Sequence, residues 1–247
     1  MILNLIFMYK IIVFRKFFIS HLVIVLFFII IFNVYCYSED NTKLCALTFD
    51  DGPDAIMTTK VLEKIEKYNI VATFFLIGQL VNDKTKPVID REIKDGSEFG
   101  NHSWEWRSMD NLTPDEIKQS INKTSEAIEK YTHETPLYFR PPNLAVSKTM
   151  YDTIDLIFID GITACDWFGC GTTAQDIVNN VIKEMDDGVI ILLHDVQPEP
   201  HPTPEALDIL IPLLKQQGYE FVTLSELFKR KHIDPYSKKY EMWRYVK

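Results

Sequence analysis

The chain has 247 residues, 47% of them apolar, and a formal net charge of −9. Those values fit one sizeable folded domain and exclude a disordered chain. Met1 to Cys36 hold Lys10, Arg15 and Lys16 and no acid, so subtracting those three positives leaves −12 for the remainder, an acidic balance that argues against nucleic acid or an anionic membrane as partner.

Residues 1–38 read as a signal peptide or an uncleaved signal-anchor: basic residues precede an apolar run from Phe17 to Cys36, and Glu39 and Asp40 follow. Both stay open, because about 20 apolar residues can span a bilayer while small residues near Cys36 and Ser38 suit cleavage. The expected location is secreted, or membrane-anchored with the folded part outside the cytoplasm. One domain is expected over 40–230, then a tail over 231–247 whose Tyr236, Tyr240, Trp243 and Tyr245 carry no readable role.

After residue 40 the chain alternates strand-like and helix-like segments. Leu44 to Phe49 reads as a strand, Met57 to Tyr68 as an amphipathic helix, Val71 to Ile77 as a buried strand and Lys86 to Lys94 as a helix. Pro114 to Tyr131 is a strong helix, with Thr113 and Glu116 spaced as a capping box and Ile117, Ile121 and Ile128 on one face. Short strands follow at Leu137–Phe139, Leu156–Ile159 and Ile190–Leu193, with a helix over Asp176–Met185. A helix over Pro204–Gln217, a strand Glu220–Thr223 and a short helix from Ser225 close the pattern. No Gly-rich loop follows any strand. The pattern therefore predicts an α/β fold, a distorted parallel (β/α) barrel of about seven strands, with its chemistry at the carboxyl ends of strands.

Strand ends carry the candidates. In order they are Asp50-Asp51-Gly52-Pro53, Asn101-His102-Ser103-Trp104, Arg140-Pro141-Pro142, Cys165-Asp166-Trp167 and Leu192-Leu193-His194-Asp195. Each alone has a plain explanation: Asp-Asp-Gly closes turns, a lone histidine is often a satisfied core residue, and Asp-Trp can be packing. Alternation along a strand would aim one carboxylate of Asp50-Asp51 at a metal and the other at a substrate. Cys165 and Cys170 are close enough in sequence to pair, and export permits it.

Taken together, these segments resemble the polysaccharide deacetylases, carbohydrate esterase family 4, also called the NodB homology domain. The resemblance runs from about Leu44 to Phe228, with Thr48-Phe49-Asp50-Asp51-Gly52-Pro53 as its most specific part, reinforced by Ala72-Thr73-Phe74-Phe75. Arg140-Pro141-Pro142-Asn143-Leu144 and the run from His194 to Asp208 look most like the acetylxylan esterase branch. The resemblance implies a catalytic domain over 40–230 that hydrolyses acetyl groups from a carbohydrate polymer. Asp51 and His102 would ligate a divalent metal, zinc or cobalt, with nickel as a further option. Asp50 would be the base for the attacking water, and Arg140 would pair with it. His194 would be the acid that protonates the leaving group, oriented by Asp166. The backbone N–H of Asn143 would help stabilise the oxyanion, and Leu192 would line the acetyl pocket.

One departure stands out: the family's usual second metal histidine, four residues after His102, is Trp106, whose indole N–H only donates. His201 is a weak substitute, sitting among prolines in what reads as a rigid turn. Trp104, Trp106, Trp167 and Phe168 could form a platform for sugar rings or simply pack the rim. The expected partner is an acetylated polysaccharide, most of all xylan, and a monomer is expected, with no nucleic acid and membrane contact only through the first segment. The alternatives are a deacetylase of chitin or another N-acetyl amino sugar polymer, and an inactive glycan-binding barrel at the cell surface.

Overall fold

The structure, a computed structural model, describes His21 and residues 24–28, 42–167 and 173–247. It separates into two units, Met1–Thr42 and Lys43–Lys247. In the first, residues 24–28 are helical and their side chains exposed. Most of the expected leader lies outside the described residues, and among those described no helix is long and apolar enough to cross a membrane.

In the second unit the chain runs β1 (Lys43–Asp50), α1 (Met57–Tyr68), β2 (Thr73–Leu76), α2 (Lys86–Lys94), β3 (Glu98–Asn101), α3 (Pro114–Thr132), β4 (Tyr138–Phe139), α4 (Lys148–Thr153) and β5 (Ile157–Phe158). It continues through β6 (Ile162–Thr163), α5 (Ala174–Glu184), β7 (Val189–His194), α6 (Thr203–Gln216), β8 (Tyr219–Phe221) and α7 (Leu224–Lys231). The sheet is ordered β5-β4-β3-β2-β1-β7-β6, with β8 added on the start of β1. Its ladders are all parallel. This is the expected curled parallel barrel. Leu44 to Asp50 of β1 are all buried, as befits a strand covered on both faces.

Local chemistry explains the elements. In α3, Thr113 and Glu116 form the expected capping box, and Ile117, Ile121 and Ile128 face the core. The predicted strand over Val71–Ile77 is trimmed to Thr73–Leu76. Two strands and a helix, β3, β6 and α4, were not foreseen from the pattern. β3 reads Glu-Phe-Gly-Asn, of which Phe99 alone favours a strand, and is held by its register with β2. Gly100 within it is needed because a Cβ there would overlap the Phe75 ring.

The tail has a structural role. β6 pairs with the upper part of β7, Ile162 with Ile191 and Thr163 with Leu192. Below it, the tail fills the seam: Trp243 bridges to Ile159 and Tyr245 to Val189. The Trp243 and Asp160 backbones bond to Phe158 and Trp243 at 2.9 and 2.8 Å, and Ile190 N–H donates to Arg244 C=O at 3.1 Å. Trp243 is 4% exposed and Val246 fully buried, and the indole packs edge-on to Phe228 with ring centroids 5.1 Å apart. Truncating Trp243 to Ala is expected to lower the free energy of unfolding by about 3–5 kcal/mol, the usual cost of a large core aromatic. Urea denaturation measures it; a loss under about 1 kcal/mol would mean the strap is loosely packed.

Candidate active site

Strand register sets the site. Asp50 is the Cα partner of His194 on β7 and of Phe75 on β2, Leu76 that of Asn101, and Asn101 that of Phe139. The residues at or just past these ends, Asp50, Asp51, His102, Arg140 and His194, therefore share one rim. Several leave their strands by a left-handed step: φ is 79° at Asp51, 67° at Ser103, 58° at Asn143, 54° at Leu144 and 57° at Cys165. Strained backbone of this kind concentrates where side chains must be aimed. Asp50 and Asp51 are thus parted by the turn at Asp51 and not by strand alternation alone.

Asp50, Asp51, His102, Asn143, Leu192 and His194 line a cleft of about 390 Å³, joined by Trp106, Trp167, Thr163 and Gln197. Arg140 lies beneath it, fully buried. Its Nη1 donates to Asp50 Oδ1 at 2.7 Å and its Nη2 to the Asp160 carbonyl at 2.8 Å, with the guanidinium 4.2 Å above the Phe75 ring. Asp50 is left with Oδ2 towards His102, 3.8 Å from Nε2. The Asn143 side chain is tied to Ser108 Oγ at 2.8 Å.

His102 is oriented from behind. Its Nδ1 lies 2.7 Å from the Arg140 carbonyl, an acceptor, so Nδ1 carries the proton and Nε2 presents a lone pair in the neutral ring. Nε2 stands 3.5 Å from Asp51 Oδ1. Burial would pull the His102 pKa down, but the charges of Asp50 and Asp51 and the bonds to Asp51 and the Arg140 carbonyl raise it. Burial would likewise push Asp51 up, yet its bonds to His102 and Trp106 and the charges of His102 and His194 lower it. A proton on Nε2 would occupy the place between imidazole and carboxylate that a cation would take. Two donors of these types fit a divalent metal: bonds of about 2.1 Å meeting at a tetrahedral angle set ligands roughly 3.4 Å apart. Among the described residues no cluster of three or more His, Cys, Asp or Glu side chains suited to a metal is present; Asp51 and His102 are the candidate ligands that face each other in the cleft.

The other dyad is tighter. His194 Nδ1 and Asp166 Oδ1 are 2.8 Å apart, and Asp166 Oδ2 accepts from the His194 N–H at 2.8 Å. Thr203, fully buried at the start of α6, donates a third bond to Oδ2 at 2.8 Å. Burial alone would lower the His194 pKa; the Asp166 charge and bond, with Asp50 and Asp51, outweigh it and lift it to about 9. Beneath the rim, burial first and then the Asp51 and Asp50 charges push Asp195 up to about 7, against a bond from Thr58. Its carboxylate fills the space where a Cβ on Gly52 would stand, which is why the turn takes glycine.

Two expected residues fall elsewhere. Trp104 does not line this cleft. The left-handed step at Ser103 sends it towards α3, where its N–H bonds to Ser120 Oγ at 3.0 Å and Lys123 sits 3.6 Å over its ring, beside a separate pocket. His201 does not line the cleft either, and its Nε2 faces the His194 carbonyl at 3.2 Å. Trp106 and Trp167 do line the cleft and are 45% and 40% exposed, while Phe168 lies outside the described residues. Cys165 is disulfide-bonded; Cys170 lies outside the described residues, and Cys45 is a buried free thiol. Gln197 and Thr203 were missed from the sequence. A threonine immediately before Pro204 at the opening of a helix was the available signal, and it read only as a boundary.

A profile of the polysaccharide deacetylase family matches residues 37–156. A bifunctional xylanase/deacetylase of Pseudobutyrivibrio xylanivorans is 45% identical over 210 residues, 85% of this chain, which spans only 34% of that protein. A peptidoglycan-N-acetylglucosamine deacetylase of Bacillus cereus is 38% identical, over 78% of this chain and 92% of its own length. Among solved structures, a family 4 acetyl xylan esterase from Clostridium thermocellum, in complex with a cobalt ion, superposes with a TM-score of 0.79 at 54% identity, covering 83% of this chain and 99% of that one.

Proposed function

The chain belongs to the polysaccharide deacetylase family, and we propose that it removes O-acetyl groups from xylan, outside the cytoplasm, with a divalent cation on Asp51 and His102. The substrate reading is carried by one observation, the high identity to an acetyl xylan esterase over nearly the whole of that chain. An acidic surface suits a neutral, acetylated polysaccharide, and the exposed faces of Trp106 and Trp167 beside His194 suit sugar rings.

Held by Asp51 and His102, a cation such as cobalt or zinc would supply Lewis acidity, easing loss of a proton from water and polarising the acetyl carbonyl. Asp50 Oδ2 takes the proton from the attacking water, while Oδ1 stays on Arg140. The Asn143 N–H bonds to the oxyanion, and Leu192 bounds the pocket for the methyl group. His194, cationic below about pH 9, gives its Nε2 proton to the sugar oxygen as the C–O bond breaks, and acetate departs.

A second reading, amide cleavage on an N-acetyl amino sugar polymer, is favoured by the resemblance to the peptidoglycan deacetylase. Acetate release from acetylated xylan and from chitooligosaccharides, with cobalt, zinc or nickel added after chelation, separates the two. Release from xylan is the expected result. Release from the amino sugar alone would move the assignment, and no turnover with any cation would leave a glycan-binding barrel.

The acid dyad makes a pH prediction. A histidine whose pKa is raised stays protonated up to that value, so the alkaline limb of kcat/KM should fall near pH 9. Asp166→Asn removes the main charge that opposes burial, so the limb should move down towards about 6.5 or below. An unmoved limb would separate Asp166 from the acid.

A further inference from the structure

Asp51 and His102 are the candidate metal ligands in the cleft, and the structure shows how the Asp51 carboxylate is held. The two oxygens of Asp51 are used differently. Oδ1 faces His102 Nε2 at 3.5 Å, while Oδ2 accepts from Gln197 Nε2 at 3.4 Å. Gln197 lines the cleft and is only 6% exposed. An ionised carboxylate only accepts, so the amide nitrogen of Gln197, and not its oxygen, must face Oδ2. At 3.4 Å that bond is at the long edge of hydrogen-bond reach. It restrains a side chain that has left its strand by a left-handed step.

We infer that Gln197 is a positioning residue for the cation: its amide N–H ties back one side of the Asp51 carboxylate so that the other, Oδ1, is presented beside His102. The inference rests on the reading of Asp51 and His102 as the metal pair. A carboxylate free to rotate between two oxygens and two rotamers must be ordered when the ion binds; one already restrained is not. Groups that hydrogen-bond to ligating residues typically carry about 10- to 100-fold in metal affinity.

The test titrates metal-free full-length protein with Co²⁺ by calorimetry and by visible absorption, for the native chain and Gln197→Leu, with Asp51→Asn as reference. Gln197→Leu should raise the Co²⁺ Kd by about ten-fold, with the metal-free unfolding midpoint unmoved. A Gln197→Leu chain that binds Co²⁺ as tightly as the native chain would overturn the inference and leave Asp51 as ligand. A native chain whose Co²⁺ binding is indifferent to Asp51→Asn would overturn both the inference and the metal reading beneath it.

Discussion

Asp50→Asn should leave the fold and the bound cation in place and lower kcat for acetate release by about 10³-fold, within the range that positioned acid–base groups supply. The substitution is isosteric, and Arg140 dictates how the amide sits. Arg140 Nη1 needs an acceptor at the Oδ1 position, 2.7 Å away, so the amide oxygen stays there and the NH₂ group turns to the cleft. A donor then stands where Oδ2 stood, and it cannot take a proton from water. Arg140 also loses its carboxylate counter-charge while fully buried, so a fall in stability of up to about 3 kcal/mol should accompany the loss of activity. Circular dichroism at the assay temperature separates the two effects. Asp51→Asn should differ in kind: Asp51 is paired with His102 and not with Arg140, so its loss appears as weaker metal binding, and activity returns in part as Co²⁺ is raised. If added metal rescues Asp50→Asn as well, the division of labour between the two carboxylates is wrong.

That division shows how far the sequence carries. Polar residues gathered at strand ends were readable because a parallel barrel places all its carboxyl ends on one rim, so Asp50, Asp51, His102, Arg140 and His194 could be grouped without coordinates. Which of two nearby tryptophans reaches the cleft was not readable. Trp104 and Trp106 are two residues apart and would share a face on a strand, but Ser103 has φ of 67° and the pattern of alternation ends there. Gln197 and Thr203 were hidden for a related reason. Both lie between β7 and the body of α6, and their positions follow from bonds to Asp51 and Asp166, residues far away in the chain. The tail was opaque because its partners are the lower seam of the barrel, where β6 leaves part of β7 without a neighbour on that side.

His194→Asn should lower kcat/KM on acetylated xylan by about 10²- to 10³-fold, and the size of the loss should depend on the leaving group. A sugar alkoxide is a poor leaving group and must gain a proton as the C–O bond breaks; a nitrophenolate needs none. On an aryl acetate the same variant should therefore lose less than about ten-fold, since Asp50, Arg140 and the Asp51–His102 pair remain where they were. A residue that only packed against the substrate would penalise both esters alike. The geometry favours the acid role because Asp166 Oδ1 takes the Nδ1 side of the ring at 2.8 Å, which leaves Nε2 as the nitrogen able to face a substrate in the cleft that His194 lines. Asn at this position can still bond to Asp166 but has no proton to give at neutral pH. Equal losses on the two esters would remove His194 as the acid and require the proton to come from elsewhere.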